Sequence, residues 1–525
     1  MEKVSTQIIQ LFYITFLLFP QLSLAESLGN YTSHSIDNNS LIIQAGTPVV
    51  SIIPYSNKVV RVSLFLDGSN ELDSSFVVVL EPDSVAWDLT ENDSMLNMEI
   101  GDWNISITKY PVRFSYKRND DTFLKDEDGF FWNGGNLGVK FMASDEENFY
   151  GAGERAININ HRGMRLNSYN APWYGYSYGA SNLNITVPFV LSSKPYGIYF
   201  ENTYPGYFDF GYSNSNIFEY GISGGQFSYF IINGNSFPEI LTHYVDLTGH
   251  QPLPPRWTLG YLQSRFGYQS QNEAQQVVNT FQDREIPLDA IILDLYWFGW
   301  GQMGDMDWDY SAWPDPQGMI SGFDSLGVKT VLISEPYVLQ SSDNFSIAYN
   351  HGYLTPNSSG TPVIVWAFWA GPAGLLDVTD PSTVDWWWDF YENLQNQGVG
   401  GWWCDLGEPE AHPPEMVHYL GSAEEIHNIY SLLWAKMIYN KTKDVLPNNR
   451  LFNLIRSGYA GIQRFSVFPW SGDVQRSYSG LRAQAPIMLG MGLSGIGYMH
   501  SDIGGFTGGY QDPELYTGYS GLFVQ

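Results

Sequence analysis

The chain has 525 residues, beyond the size at which a single core keeps growing, so two or more domains are expected. A hydrophobic content of 44% excludes a disordered chain, and a formal charge of −30 with no Lys/Arg run excludes a nucleic-acid-binding face. The only cysteine, Cys404, excludes an intrachain disulfide.

In chain order, Lys3 precedes an apolar run from Ile8 to Phe19, and Ser23-Leu24-Ala25 offers a small-x-small cleavage site. That pattern reads as a cleavable leader over 1–25, with secretion, a periplasmic location or attachment to the cell envelope as the expected outcome. The run is too short and interrupted for a membrane span, so none is expected once the leader is removed.

Residues 26–250 read as an all-β sandwich. Ile105 and Ile107 alternate, as do Val112, Phe114 and Tyr116, and short apolar runs recur at Val59–Leu66, Gly197–Glu201 and Phe227–Ile232. The Trp and Tyr excess fits either broad sheet cores or stacking platforms for sugar rings.

Gln251-Pro-Leu-Pro-Pro255 marks a boundary, and residues 251–525 then alternate strands with helices. Strands are expected at Trp257–Gln263, Ala290–Leu295, Lys329–Glu335, Gly401–Asp405, Leu451–Arg456, Phe468–Trp470 and Gly495–His500. Helices are expected at Asn272–Arg284 and Ser382–Gln397. A third opens on the Ser422/Glu425 capping pair and carries Ile426, Ile429, Tyr430, Leu433 and Met437 on one face. Seven β/α units in order predict a (β/α)8 barrel, short of its last unit. The chain is thus expected to be a fragment of a longer protein.

Acidic residues follow these strands in turn: Asp294, Glu335, Asp405, Asp473 and Asp502. One such residue is an ordinary helix cap, but five in successive units mark a barrel-mouth site. Trp297, Trp300, Trp369, Trp402, Trp403, Trp470 and Phe506 stand beside them. Paired carboxylates between aromatic walls suit glycosidic bond cleavage, one attacking the anomeric carbon and the other protonating the leaving oxygen. Competing chemistries lack their residues. His412, Glu415 and His418 lie close together without completing a metal set, Ser479 lacks a full Gly-x-Ser-x-Gly frame, and no Walker loop occurs. No metal or cofactor is expected.

Gly401-Trp-Trp-Cys-Asp-Leu-Gly-Glu-Pro409 resembles the nucleophile motif of glycoside hydrolase family 31, and Trp470-Ser-Gly-Asp473 its acid/base motif. Arg456-Ser457, the segment from Trp366 to Pro381, His500-Ser-Asp-Ile-Gly-Gly-Phe506 and Gly151-Ala-Gly-Glu154 resemble further segments of that family. The likeness implies a β-sandwich, then a (β/α)8 barrel, then C-terminal β domains that this sequence does not contain. It implies Asp405 as nucleophile and Asp473 as acid/base. It also implies substrate contacts at Asp294, Glu335, Trp369, Trp403, Arg456, Trp470, Asp502 and Phe506. Asp405-Leu-Gly-Glu408 and Asp294-Leu-Tyr-Trp-Phe-Gly-Trp300 look like the bacterial oligosaccharide α-1,4-glucosyltransferase branch. The implied partners are α-glucan oligosaccharides, as donor and acceptor. A hydrolytic α-glucosidase, an α-xylosidase and an inactive carbohydrate-binding fragment are the alternatives. The segment 170–179, rich in Trp and Tyr, is expected either over the barrel mouth or in a buried domain contact.

Overall fold

The structure is a computed structural model that describes residues 25–523, Ser84 excepted. The leader expected over 1–25 therefore lies outside the described residues, Ala25 apart. No helix among the described residues is long and apolar enough to cross a membrane.

Between Glu26 and Asn233 the chain forms two antiparallel sheets packed face to face, one of ten strands and one of eight. Alternation is the cause. Along Val112–Arg118, Val112, Phe114 and Tyr116 are buried while the residues between them are half-buried. Phe130, Phe141, Phe218 and Tyr229 fill the space between the sheets, and the Tyr116 and Tyr229 hydroxyls meet there at 2.8 Å. Much of the aromatic excess is therefore sheet core.

The second sheet is covered on both sides. All seven residues of Thr186–Ser192 and of Phe227–Asn233 are buried. Their outer face packs on the helix Phe237–Thr248, where Phe189 stacks on Tyr244 with ring centres 3.9 Å apart. That layer is continuous with the core of the following domain, so sandwich and barrel share one apolar cluster.

The barrel contributes six parallel strands that pair in sequence order: Leu262–Gln263, Ala290–Leu293, Lys329–Ser334, Gly401–Cys404, Asn453–Ile455 and Val467–Pro469. Parallel pairing needs a crossover, and helices supply it. Side-chain caps start several of them: Ser270 for Gln271–Asp283, Asp315 for Pro316–Ser325, Asp380 for Pro381–Asn396 and Ser477 for Tyr478–Gly492.

Several expected elements differ. Gly495–His500 is not a strand; only a parallel bridge from Trp470 to His500 adds a seventh rung. Gly495 holds φ at +82°, a left-handed turn that strand backbone does not accommodate. Trp257–Gln263 is mostly a 3-10 turn, Arg256–Leu259, after Pro254-Pro255, and only Leu262–Gln263 pairs. The helix opened by Ser422 stops after Ala423–His427 and restarts as Tyr430–Val445. Its apolar face stays buried across the break. The break frees Asn428, whose side chain accepts from the Asn170 N–H and donates to the Thr203 carbonyl at 3.1 Å.

Candidate active site

Strands that run in parallel stop together, so the residues just beyond them meet on one face. Asp294, Glu335, Asp405 and Arg456 each directly follow a strand, and Asp473 and Asp502 lie just past the sixth strand and the His500 bridge.

Arg456 is the centre of this face and is 3% exposed. Its Nε and Nη2 donate to Glu408 at 2.8 and 2.9 Å, and Nη2 also reaches Glu410 at 2.8 Å. The same guanidinium touches both expected catalytic carboxyls: Nε lies 3.1 Å from Asp405 Oδ1 and Nη1 3.8 Å from Asp473 Oδ2. The turn that brings Glu408 back is held at a local cost. Leu406 sits at φ +60°, in the left-handed region, and its N–H donates to Asp405 Oδ1 at 2.8 Å. A bulky residue there costs about 1–3 kcal/mol and persists where the surroundings impose it.

Asp473 is placed from the sandwich. Gly472 has φ +70°, and a Cβ there would lie 2.5 Å from Asn184 Nδ2, so a side chain would be strained and would displace Asn184. Asn184 in turn donates its N–H and Nδ2 to Glu154, the acid of Gly151-Ala-Gly-Glu154. The carbonyl of Asp473 accepts from the Gly175 N–H at 2.8 Å, and Gln475 pairs with Tyr176. Segment 170–179 therefore does both things expected of it. Tyr176 is buried against the barrel, while Trp173 is exposed and Tyr174, also exposed, meets Phe506 at the barrel mouth.

Like charges at such spacing cannot all ionise. Burial, then the charges of Asp405 and Asp294, pushes Glu335 far up. Burial, reinforced by Asp473, raises Asp294 to about 7, and Asp502 rises to about 7 for the same reasons. Burial also raises Asp405 and Asp473, while Arg456 opposes it at both. Burial raises Asp405 the further of the two, and the shorter Arg456 contact is what favours its anion.

Asp294 has a consequence for stability. Its folded-state pKa, about 7, is above its ordinary 3.8, so the folded chain binds more protons between those values and loses stability as pH rises through them. Asp294→Asn is expected to unfold at a higher temperature than the parent at pH 8, with the gap shrinking towards pH 4. Melting curves across pH check this, and a gap independent of pH contradicts it.

A line of exposed and half-buried aromatic rings borders the carboxyls. Trp300 stacks on Tyr296 at 5.2 Å, Phe266 meets Tyr296, Trp300 and Phe506 edge-on at 6.5, 6.1 and 6.4 Å, and Phe506 meets Tyr174 at 6.4 Å. Trp403 and Trp470 pack edge-to-face at 5.5 Å on the barrel side. Trp297 and Trp402 are corrections. Both are fully buried core: Trp297 Nε1 donates to the Ile333 carbonyl and Trp402 packs on Tyr391. Strand alternation turns Trp402 away from the face that Trp403 occupies. Trp369 is half-exposed and its ring lies 5.7 Å from that of Phe368. The roles of Glu408 and Glu410 on Arg456, and of Phe266, Tyr296 and Tyr174 in the aromatic line, are additions from the structure.

Residues 251–522 match the model of the glycosyl hydrolases family 31 TIM-barrel domain, and 49–209 the family's N-terminal galactose mutarotase-like domain. An α-glucosidase of Bacillus thermoamyloliquefaciens is 27% identical over 91% of this chain and 63% of its own length. An α-xylosidase of Saccharolobus solfataricus is 31% identical over 74% of this chain and 52% of its own. A dextranase of Flavobacterium johnsoniae, solved with glucose, superposes with a TM-score of 0.91 at 29% identity, covering 95% of this chain and 64% of that one. The chain thus spans between half and two thirds of the length of these relatives.

Proposed function

The chain belongs to glycosyl hydrolase family 31, and on that premise we propose that its barrel mouth transfers α-glucosyl units between oligosaccharides with retention of configuration. The observation that carries the reading is the Arg456 guanidinium in contact with both Asp405 and Asp473, closer to Asp405. A cation at 3.1 Å favours an anionic Asp405, ready to attack.

In the first step a carboxylate oxygen of Asp405 bonds to the anomeric carbon and the bond to the leaving oxygen breaks. The proton on Asp473 goes to that oxygen. In the second step Asp473, now anionic, takes the proton of an acceptor hydroxyl, whose oxygen displaces Asp405 from the anomeric carbon. Two inversions give net retention, which needs the carboxyls about 5–5.5 Å apart. Asp294, Glu335 and Asp502, protonated or charged, supply donors and acceptors for sugar hydroxyls, and Trp403, Trp470 and Phe506 supply the walls.

A glucose-bound dextranase and an α-glucosidase among the relatives support glucose as the unit moved. The line of exposed Trp300, Phe266 and Tyr174 with half-buried Tyr296 and Phe506 supports a sugar acceptor over water, since it offers ring faces outside the carboxyl pair.

Incubation with maltotriose and, in parallel, isomaltotriose tests this. Longer and shorter oligosaccharides from either support transfer and report the linkage. Glucose and shortened oligosaccharides with nothing longer than the donor mean hydrolysis, and release of xylose from an α-xyloside with both glucans untouched favours an α-xylosidase. Trp300→Ala is expected to lower the ratio of transfer to hydrolysis about fivefold, equivalent to about 1 kcal/mol of acceptor binding. Product ratios at fixed conversion check it, and an unchanged ratio removes Trp300 from the acceptor surface.

A further inference from the structure

Three histidines beside the carboxyl centre form a hydrogen-bonded chain whose proton count does not close with neutral rings. His418 Nδ1 lies 3.0 Å from Asp377 Oδ1, and its Nε2 lies 2.8 Å from His412 Nε2. His412 Nδ1 lies 3.1 Å from His427 Nδ1, and His427 Nε2 lies 2.8 Å from the Asn170 carbonyl. His418 and His427 are each 3% exposed. Both ends of the chain, a carboxylate and a carbonyl, only accept. Four bonds in series between two acceptors need four hydrogens, and three neutral imidazoles hold three. The Thr379 N–H and hydroxyl and the Tyr419 N–H all donate to Asp377, which favours its ionised form, and with that carboxylate the fourth hydrogen makes one ring an imidazolium.

A metal between the rings does not fit. At tetrahedral zinc two ligating nitrogens lie about 3.3 Å apart, farther than the 2.8 and 3.1 Å found here. No group able to hold a metal occurs among the described residues.

The surroundings place the extra proton at the Asp377 end. Burial, then charge on the neighbouring rings, holds His412 far below its ordinary value, and burial holds His427 down to about 4. Burial acts to raise Asp377, but the His418 bond and charge, with Thr379 and the Tyr419 N–H, bring its carboxyl below the usual range. Other facing groups are few. Glu408 acts on His427, Tyr169 stacks on His427 at 4.0 Å with its hydroxyl 3.5 Å from His427 Nδ1, a longer contact than the 3.1 Å to His412, and the Tyr430 ring lies 6.0 Å from His418.

The chain joins two segments that frame Arg456. His412 comes two residues after Glu410, which accepts from Arg456. Asn170 starts the 170–179 segment, and its Nδ2 donates to Ser457 Oγ and the Gly458 carbonyl, next to Arg456.

We propose that His418, His412 and His427 are positioning residues, a chain with one excess proton that braces the Glu408–His412 segment, and through it Arg456, against the foot of segment 170–179. The positioning role rests on the reading of the site given above; the proton count does not.

Imidazole 15N NMR of the histidine-labelled chain tests the count. Nitrogen–nitrogen couplings across the two ring–ring hydrogen bonds link the three rings without any substitution. The expected result is His418 protonated on both nitrogens, His412 on Nδ1 and His427 on Nε2, with Asp377→Asn returning three neutral rings. Three neutral rings in the unsubstituted chain, or missing couplings, overturn the proposal whatever the activity. For positioning, His412→Phe is expected to move the acidic limb of the kcat/KM profile to higher pH, because Arg456 then holds the Asp405 anion less well. A folded variant with the limb in place would leave the histidines a structural role only and refute the brace.

Discussion

Asp405→Ala is expected to lower kcat by on the order of 10⁴-fold or more while the chain stays folded. The carboxyl is 17% exposed and sits at the end of Gly401–Cys404, where its removal deletes no core packing. It also relieves a crowd of like charges around Arg456, so stability is expected to hold or rise. What is lost is the group proposed to form the glycosyl bond with the enzyme. Turnover of an aryl α-glucoside, with circular dichroism as the folding control, checks this. A loss below tenfold would remove Asp405 from the nucleophile's role.

Asp473→Ala is expected to behave differently, and the difference separates the two roles. Transfer from an unactivated oligosaccharide should fall about 10²–10⁴-fold, the usual worth of a positioned acid. A donor whose leaving group needs no proton should lose far less in the first step. The pH profile carries a sign. Burial raises Asp473 above its ordinary value, so the acid form persists to higher pH and activity falls as pH rises through that value. The variant has no such group, and its alkaline limb should vanish. Equal losses on activated and unactivated donors would mean Asp473 is not the proton donor.

The carboxyl set was legible in the sequence because barrel geometry turns strand ends into addresses. Asp294, Glu335 and Asp405 each follow a short apolar run, and nothing but strand length is needed to bring them to one face. The supporting groups were harder to read. Glu408 and Glu410 reach Arg456 only because Leu406 adopts a left-handed turn, which no local pattern announces in a leucine. Trp402 and Trp403 are adjacent and alike in type, yet strand alternation buries one and turns the other to the site. The Gly495–His500 strand failed because an apolar run between a glycine turn and a bridge pairs at one residue only. The histidine chain joins residues 170, 377, 412, 418 and 427; the sequence showed His412 near His418, but no spacing tied that pair to Asn170, Asp377 or His427.

The central claim is that Asp405 becomes covalently bonded to the sugar during turnover. A slow fluorinated α-glucosyl fluoride that traps this intermediate, followed by peptide mapping by mass spectrometry, tests it directly. The account predicts a single glucosyl adduct on Asp405 in the peptide containing Trp402-Trp403-Cys404-Asp405. An adduct on another residue, or none in an actively turning-over sample, would contradict it.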